Sequence, residues 1–245
     1  LDRRLALEEI IKNQTDKDAF STVINALDDP YYEIKIFALD NIDLFQKYKK
    51  SDVIGKIERL AKNHEKTLVK AAAIKVLGKL MDPIYIPLFE KGLKEDSYAV
   101  IGSSLTSLYL IDKAGALKKI ETIDPKLRDV FADEITNIYI NEKDKSKLPF
   151  IAKHVLKGMF LTQNPRTQQL YGEAFKWIAE SDDKEAIENL TNDFVKLGVQ
   201  YKEFSFDKMA VNMLNQMIQL QQNSSNSNKK ELILYIKTKM VKLIE

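Results

Sequence analysis

The sequence predicts an all-α protein, an α-solenoid built from antiparallel helix pairs. Three observations carry that expectation. One helical stripe recurs at the length of a helical hairpin, capping side chains precede prolines along the chain, and no segment shows a sustained strand alternation. The short β-rich runs Tyr109 to Ile111 and Tyr139-Ile140 sit inside helical patterns.

The stripe consists of Ile34, Ala38, Leu39 and Ile42. It returns as Val69, Ala73, Ile74 and Leu77 after 35 residues, and as Val100, Ser104, Leu105 and Leu108 after a further 31. The spacing i, i+4, i+5, i+8 places all four side chains on one face of an α-helix. A small residue at the second position lets a neighbouring helix come close. A partial copy, Ala6, Leu7 and Ile10, lies 32 residues before Ala38, Leu39 and Ile42. Repeats of this length that each supply a helix pair define a superhelix of HEAT or armadillo type.

Helix starts are marked by Asp29-Pro30, Asp82-Pro83, Asp124-Pro125 and Asn164-Pro165, where a capping side chain stands before a proline suited to the first helical position. Helices are expected near 1–13, 16–28, 31–48, 51–63, 66–81, 84–94, 97–112 and 114–122. Further helices are expected near 126–141, 148–160, 167–180, 183–200, 206–222 and 229–244. The short connections force consecutive helices to run antiparallel.

The repeat is clear over residues 1–125 and fades beyond. Val130, Ile135 and Ile138 keep part of the stripe, but Glu134 replaces its small residue. Residues 126–245 are expected to be a degenerate continuation of the helical solenoid, with apolar faces from Leu156 to Phe160 and from Phe175 to Ile178. The tract 221–228, Gln-Gln-Asn-Ser-Ser-Asn-Ser-Asn, reads as a polar loop before a last helix that carries Leu232, Ile233, Ile236, Met240 and Leu243. Asn141 to Lys147 reads as a solvated, charged connection.

Composition narrows the function classes. Hydrophobic content of 44% with 30% charged residues fits a folded chain. A net charge of +2 lacks the basic excess typical of a dedicated nucleic-acid binder, so no nucleic-acid partner is expected. The absence of cysteine excludes disulfides and thiolate metal sites. No apolar run reaches the roughly 20 residues of a membrane span, and no signal peptide is present. Because the chain begins with Leu1, it is expected to be a piece of a longer polypeptide.

Residue patterns for catalysis are missing. A zinc protease helix needs two histidines at i and i+4 with a glutamate beside the first. Here His64-Glu65 continues as Lys66, Thr67 and Leu68, and His154 is followed by Val155, Leu156 and Lys157. Both histidines are read as structural, at helix ends, and no metal site is expected. The eight glycines form neither G-x-G-x-x-G nor a P-loop; Gly78 sits inside a helix, where close packing is the expected cause. Ser103 and Ser104 lack the context of an activated nucleophile and are read as small residues of the stripe. The paired acids Glu8-Glu9, Asp28-Asp29, Glu95-Asp96 and Asp182-Asp183 fall at helix starts or on polar faces, where capping and the helix dipole account for them. Lys47, Lys49 and Lys50, like Lys143, Lys145, Lys147 and Lys153, read as solvated faces, and Trp177 with Tyr171, Phe175 and Ile178 as core. No catalytic, cofactor-binding or metal residue is assigned.

Three segments share one theme: Leu27-Asp28-Asp29-Pro30-Tyr31-Tyr32-Glu33-Ile34-Lys35-Ile36-Phe37-Ala38-Leu39, then Val69-Lys70-Ala71-Ala72-Ala73-Ile74, then Glu95-Asp96-Ser97-Tyr98-Ala99-Val100. An acidic-aromatic helix start leads into a β-branched residue and the small-residue stripe. This resembles the C-terminal HEAT-like helical domain of aminopeptidase N-like zinc metallopeptidases, best over residues 1–125. In that family the tail follows a β-rich domain, a thermolysin-like catalytic domain and often a small β-sandwich. The catalytic domain holds H-E-x-x-H, a downstream glutamate and G-x-M-E-N, none of which occurs here. The resemblance therefore implies zinc for the full-length protein only, and no cofactor in this chain.

What the resemblance implies is a non-catalytic C-terminal helical domain that covers the active site and restricts peptide access. Its partners would be the catalytic domain of the same polypeptide and peptide substrates in the shared cavity. A periplasmic or cell-surface location is implied by the resemblance alone. One alternative is an independent HEAT-repeat scaffold holding a protein partner in its concave groove. Another is a HEAT-fold DNA glycosylase, against which the near-neutral charge counts.

Overall fold

The computed structural model describes residues 2–44 and 51–244. Among them are fifteen α-helices, four short 3-10 turns and no strand. The protein is an all-α solenoid of helix pairs. It divides into two compact units, Leu1–Phe131 and Ala132–Glu245.

The first unit holds α1 (Asp2–Ile11), α2 (Lys17–Asn25), α3 (Tyr32–Asn41), α4 (Ser51–Asn63) and α5 (Thr67–Gly78). It continues with α6 (Ile86–Gly92), α7 (Tyr98–Ile111), α8 (Lys113–Thr122) and α9 (Pro125–Val130). Alternate helices α1, α3, α5 and α7 lie side by side as one layer, while α4 and α6 pack against that layer rather than on each other. The stripe explains the layer. Ala38, Leu39, Val69, Ala73, Ile74, Leu77, Val100, Ser104, Leu105 and Leu108 are all buried. Small residues set the helix spacing. Ser107 of α7 donates its hydroxyl to the Ile74 carbonyl of α5 at 3.2 Å, and a methyl on Gly78 would lie 2.6 Å from the Ser107 Cβ.

Two helices differ from expectation. The helix expected over 31–48 ends at Asn41, where Ile42 turns extended. The cause is distant in sequence: buried Gln14 donates to the Asn41 carbonyl at 2.7 Å and accepts from the Asp43 amide at 2.9 Å. Both bonds hold groups that a continuing helix would need. The helix expected over 126–141 is broken at Phe131, whose ring is buried edge-on against Tyr98 at 5.9 Å. Val130 is thereby left exposed, away from the buried Ile135 and Ile138.

The proline signals resolve similarly. Asp124 and Asn164 cap helices through the amides of Lys126 and Arg166, and Asp82 caps a 3-10 turn before α6. Asp29 bonds the Tyr31 amide instead, one residue short of the helix.

The second unit holds α10 (Ala132–Glu142), α11 (Leu148–Phe160), α12 (Pro165–Glu180), α13 (Lys184–Gln200), α14 (Phe206–Asn223) and α15 (Lys229–Ile244). Here α11, α13 and α15 form one layer and α10, α12 and α14 the other. Phe194 of α13 fills the centre, edge-on to Phe160 at 6.3 Å and Phe175 at 6.1 Å. Tyr171, Phe175 and Ile178 are core, whereas Trp177 is half-buried.

The polar tract 221–228 is a clasp rather than a free loop. Gln221 is fully buried in α14 and donates to the carbonyls of Ala179 at 2.9 Å and Ser181 at 2.6 Å. Asn226 donates to the Glu180 and Ser181 carbonyls, and Asn228 to that of Asp182. Together they satisfy carbonyls at the carboxyl end of α12, which the helix cannot pair internally. Gln221→Leu is expected to cost about 1–3 kcal/mol by orphaning the Ala179 carbonyl, since that of Ser181 keeps its bond from Asn226, measurable by urea unfolding.

Candidate interaction surfaces

The repeat places a second set of residues in register. Arg3, Lys35 and Lys70 occupy equivalent positions on α1, α3 and α5, and Asp29, His64 and Glu95 equivalent positions in the segments before α3, α5 and α7. Each cation reaches the group on the following repeat. Arg3 meets Asp29 at 3.0 Å and 3.2 Å, and Lys70 meets Glu95 at 2.5 Å and 2.8 Å. Lys35 approaches His64 Nε2 at 3.4 Å. Successive repeats are thus joined by polar rungs at the amino ends of the layer helices. The side chains of the Lys70–Glu95 rung are 17% and 26% exposed, and the Arg3 side chain of the first rung 56%.

The middle rung is the weak one. His64 Nδ1 accepts the Lys66 amide at 3.0 Å, so the neutral ring carries its proton on Nε2 and turns an N–H toward the Lys35 ammonium. Replacing it, His64→Glu, is expected to complete an ion pair and stabilise the first unit by about 0.2–1 kcal/mol, a gain that high salt removes.

Beside the rungs, Tyr31, Leu68 and Tyr98 stand at the amino ends of α3, α5 and α7 and are 58%, 53% and 57% exposed. The three helices share one layer, so a large exposed side chain recurs at each step of its amino edge, at neighbouring rather than identical positions of the repeat. The Arg3 guanidinium covers the Tyr31 ring at 4.5 Å.

Next to the third rung, whose Lys70 and Glu95 belong to its lining with Ile74, a cleft of about 390 Å³ opens between α4 and α6. The Tyr85 hydroxyl donates to Glu58 there at 3.0 Å, and burial followed by that carboxylate pushes its phenol up to about 12. Because folding raises this value, the associated stability is complete below the unfolded value near 10 and is lost as pH climbs toward 12. Tyr85→Phe is expected to flatten the alkaline limb of a stability-versus-pH curve. Burial also pushes the Tyr171 phenol up, with the same sign.

In the second unit a groove of about 480 Å³ runs between α11 and α13 and closes against the turn into α14. Leu156, Leu161, Leu197, Tyr201 and Phe206 supply its apolar lining, and Lys153, Lys157 and Lys196 its cations. Burial pushes the Asp193 carboxyl above its ordinary range, against the opposing pull of Lys196.

The residues singled out for chemistry are dispersed. His64 follows the end of α4, and His154 lies within α11, its ring 4.9 Å from Phe150, rather than at a helix end. Ser103 and Ser104 are buried in the stripe. Lys145 pairs with Asp182 at 3.2 Å, and Lys147 lies over the Tyr139 ring. Lys47, Lys49 and Lys50 lie outside the described residues. Among the described residues no group of three or more metal-ligating side chains converges, and no helix is long and apolar enough to cross a membrane.

Residues 20–108 match the family of HEAT repeats, and this stretch is a HEAT-like helical domain. No curated protein matches the chain.

Proposed function

We propose that the chain is a non-catalytic helical-repeat scaffold that holds a protein partner along the amino edge of the α3–α5–α7 layer. The observation that carries this reading is the row of large exposed side chains Tyr31, Leu68 and Tyr98 at the amino ends of three adjacent layer helices, beside the rungs. A stacked layer keeps such a row rigid, which lowers the entropic cost of binding. The test places a photo-crosslinking side chain at Leu68 and, as control, at Lys118 on α8. A partner captured only from Leu68, whose binding to the purified chain weakens about tenfold with Leu68→Glu, supports the reading. Equal capture from both positions overturns it.

We further take residues 126–245 as a degenerate continuation of the same repeat. In support, α11, α13 and α15 pack on one another as α3, α5 and α7 do.

A narrower reading follows the resemblance to aminopeptidase N-like metallopeptidases. The partner would then be a zinc-bearing catalytic domain of the same polypeptide, with peptide substrates reaching the shared cavity past the helical domain. Supporting it are the acidic-aromatic helix starts at Asp29 to Tyr32 and Glu95 to Tyr98. An open frame upstream of Leu1 that encodes G-x-M-E-N and H-E-x-x-H would sustain this reading; hydrolysis of aminoacyl substrates by this chain alone with zinc would refute its non-catalytic premise.

A further inference from the structure

The α11–α13 groove lies in the second unit and plays no part in the edge described above. Its lining is apolar and partly exposed: Leu161 is 64% and Tyr201 39% exposed. Phe204, in the turn between Tyr201 and Phe206, is 66% exposed. The aromatic end is held in place before any ligand arrives. Tyr201 and Phe206 pack at 5.8 Å, and Gln200 donates to the Tyr201 hydroxyl at 3.1 Å. Ser205 turns the chain with φ of 62°, a left-handed conformation that serine adopts at some cost.

The charges around this lining are one-sided. Lys153 and Lys157 stand one helical turn apart on α11, and Lys196 stands on α13. Among the described residues neither Lys153 nor Lys157 makes an ion pair. The single acid of the groove, Asp193, is half-buried, with Lys196 close enough to pull on its charge.

We propose that this groove binds an acidic amphipathic helix of a partner protein, with apolar side chains on the Leu156–Leu197–Phe206 lining and flanking carboxylates on Lys153, Lys157 and Lys196. Apolar side chains at i, i+3 and i+4 fit a groove between two helices, the usual mode for a helix laid on a helical surface. The Lys153 and Lys157 ammonium groups, with Lys196 beyond Asp193, select carboxylates on the incoming segment and suppress basic ones. Asp193 favours a peptide over a lipid acyl chain. A half-buried carboxylate needs a hydrogen-bond donor when the groove is covered, and a peptide can bring a hydroxyl or amide where a hydrocarbon cannot.

The test uses the whole chain and a fluorescein-labelled helical peptide of about 14 residues, with leucines on one face and glutamates flanking them. A second peptide carries lysine for every glutamate. The acidic peptide is expected to bind at least about tenfold more tightly than the basic one, and to weaken about tenfold with Lys153→Glu/Lys157→Glu. Both substituted positions are exposed, so helix content is expected to stay unchanged. Leu68→Glu leaves this binding intact, which separates the groove from the proposed edge. Equal affinity for the two peptides overturns the proposal, as does indifference to the double substitution. Binding to phosphatidylglycerol vesicles with none to the acidic peptide overturns it in favour of a membrane surface.

Discussion

Gly158→Ala is expected to destabilise the second unit by about 3 kcal/mol, the upper end of overpacking costs. The added methyl would lie 1.8 Å from Tyr171 Cδ2 and 2.3 Å from both Cε2 and Cγ. That places it inside the ring rather than against a movable chain end. Tyr171 is only 1% exposed and cannot swing away, because the core encloses it. Either α11 and α12 separate, or the ring leaves its rotamer, and each route sacrifices burial along the most intimate helix contact of the unit. Gly172 of α12 is the internal control, since nothing lies within 4 Å of its would-be Cβ. Gly172→Ala is expected to stabilise by about 0.5–1 kcal/mol through helix propensity alone. Trp177 is the sole tryptophan and lies in α12, so fluorescence-detected urea unfolding reads both variants directly.

Gly78→Ala is expected to cost about 2–3 kcal/mol in the first unit. Its methyl would meet Ser107 at Oγ, Cβ and Cα, at 2.5, 2.6 and 2.9 Å. Contact with Cα means that backbone must move, so α5 and α7 are forced apart at the seam where Ser107 bonds the Ile74 carbonyl. Lost protection of the α5 and α7 amides in native-state hydrogen exchange is the direct readout. A seam that absorbs the methyl with exchange unchanged would show that the small residues do not set the spacing.

The layer of the first unit was legible because burial repeats itself. Ala38, Ala73 and Ser104 are each fully buried at the second position of the stripe, and that demand writes one pattern three times. The close packing expected at Gly78 is present for the same reason. The rungs were also within reach, because Arg3, Lys35 and Lys70 keep the spacing of the stripe beside them. Their partners were harder to see. An acid, an imidazole and an acid do not form a residue-type pattern, and geometry alone unites Asp29, His64 and Glu95. The end of α3 was illegible from local sequence, since Gln14 imposes it across 27 residues. The α11–α13 groove gives no periodic signal, because three of its elements contribute only a few side chains each. Its one local hint is the aromatic run Tyr201 to Phe206, two phenylalanines and a tyrosine beside two charges, which a solvated turn would not need.

A tract of glutamine, asparagine and serine resembles the places where chains are usually nicked, tagged or lengthened without harm. Residues 221–228 will not behave that way. A protease must draw its target into an extended strand, and here that means first releasing the side chains of Gln221, Asn226 and Asn228 from the end of α12. An epitope inserted between Ser225 and Asn226 should therefore loosen α15 and raise the rate of cleavage well beyond the insertion itself. The plainest stretch of the sequence is the one least open to rewriting.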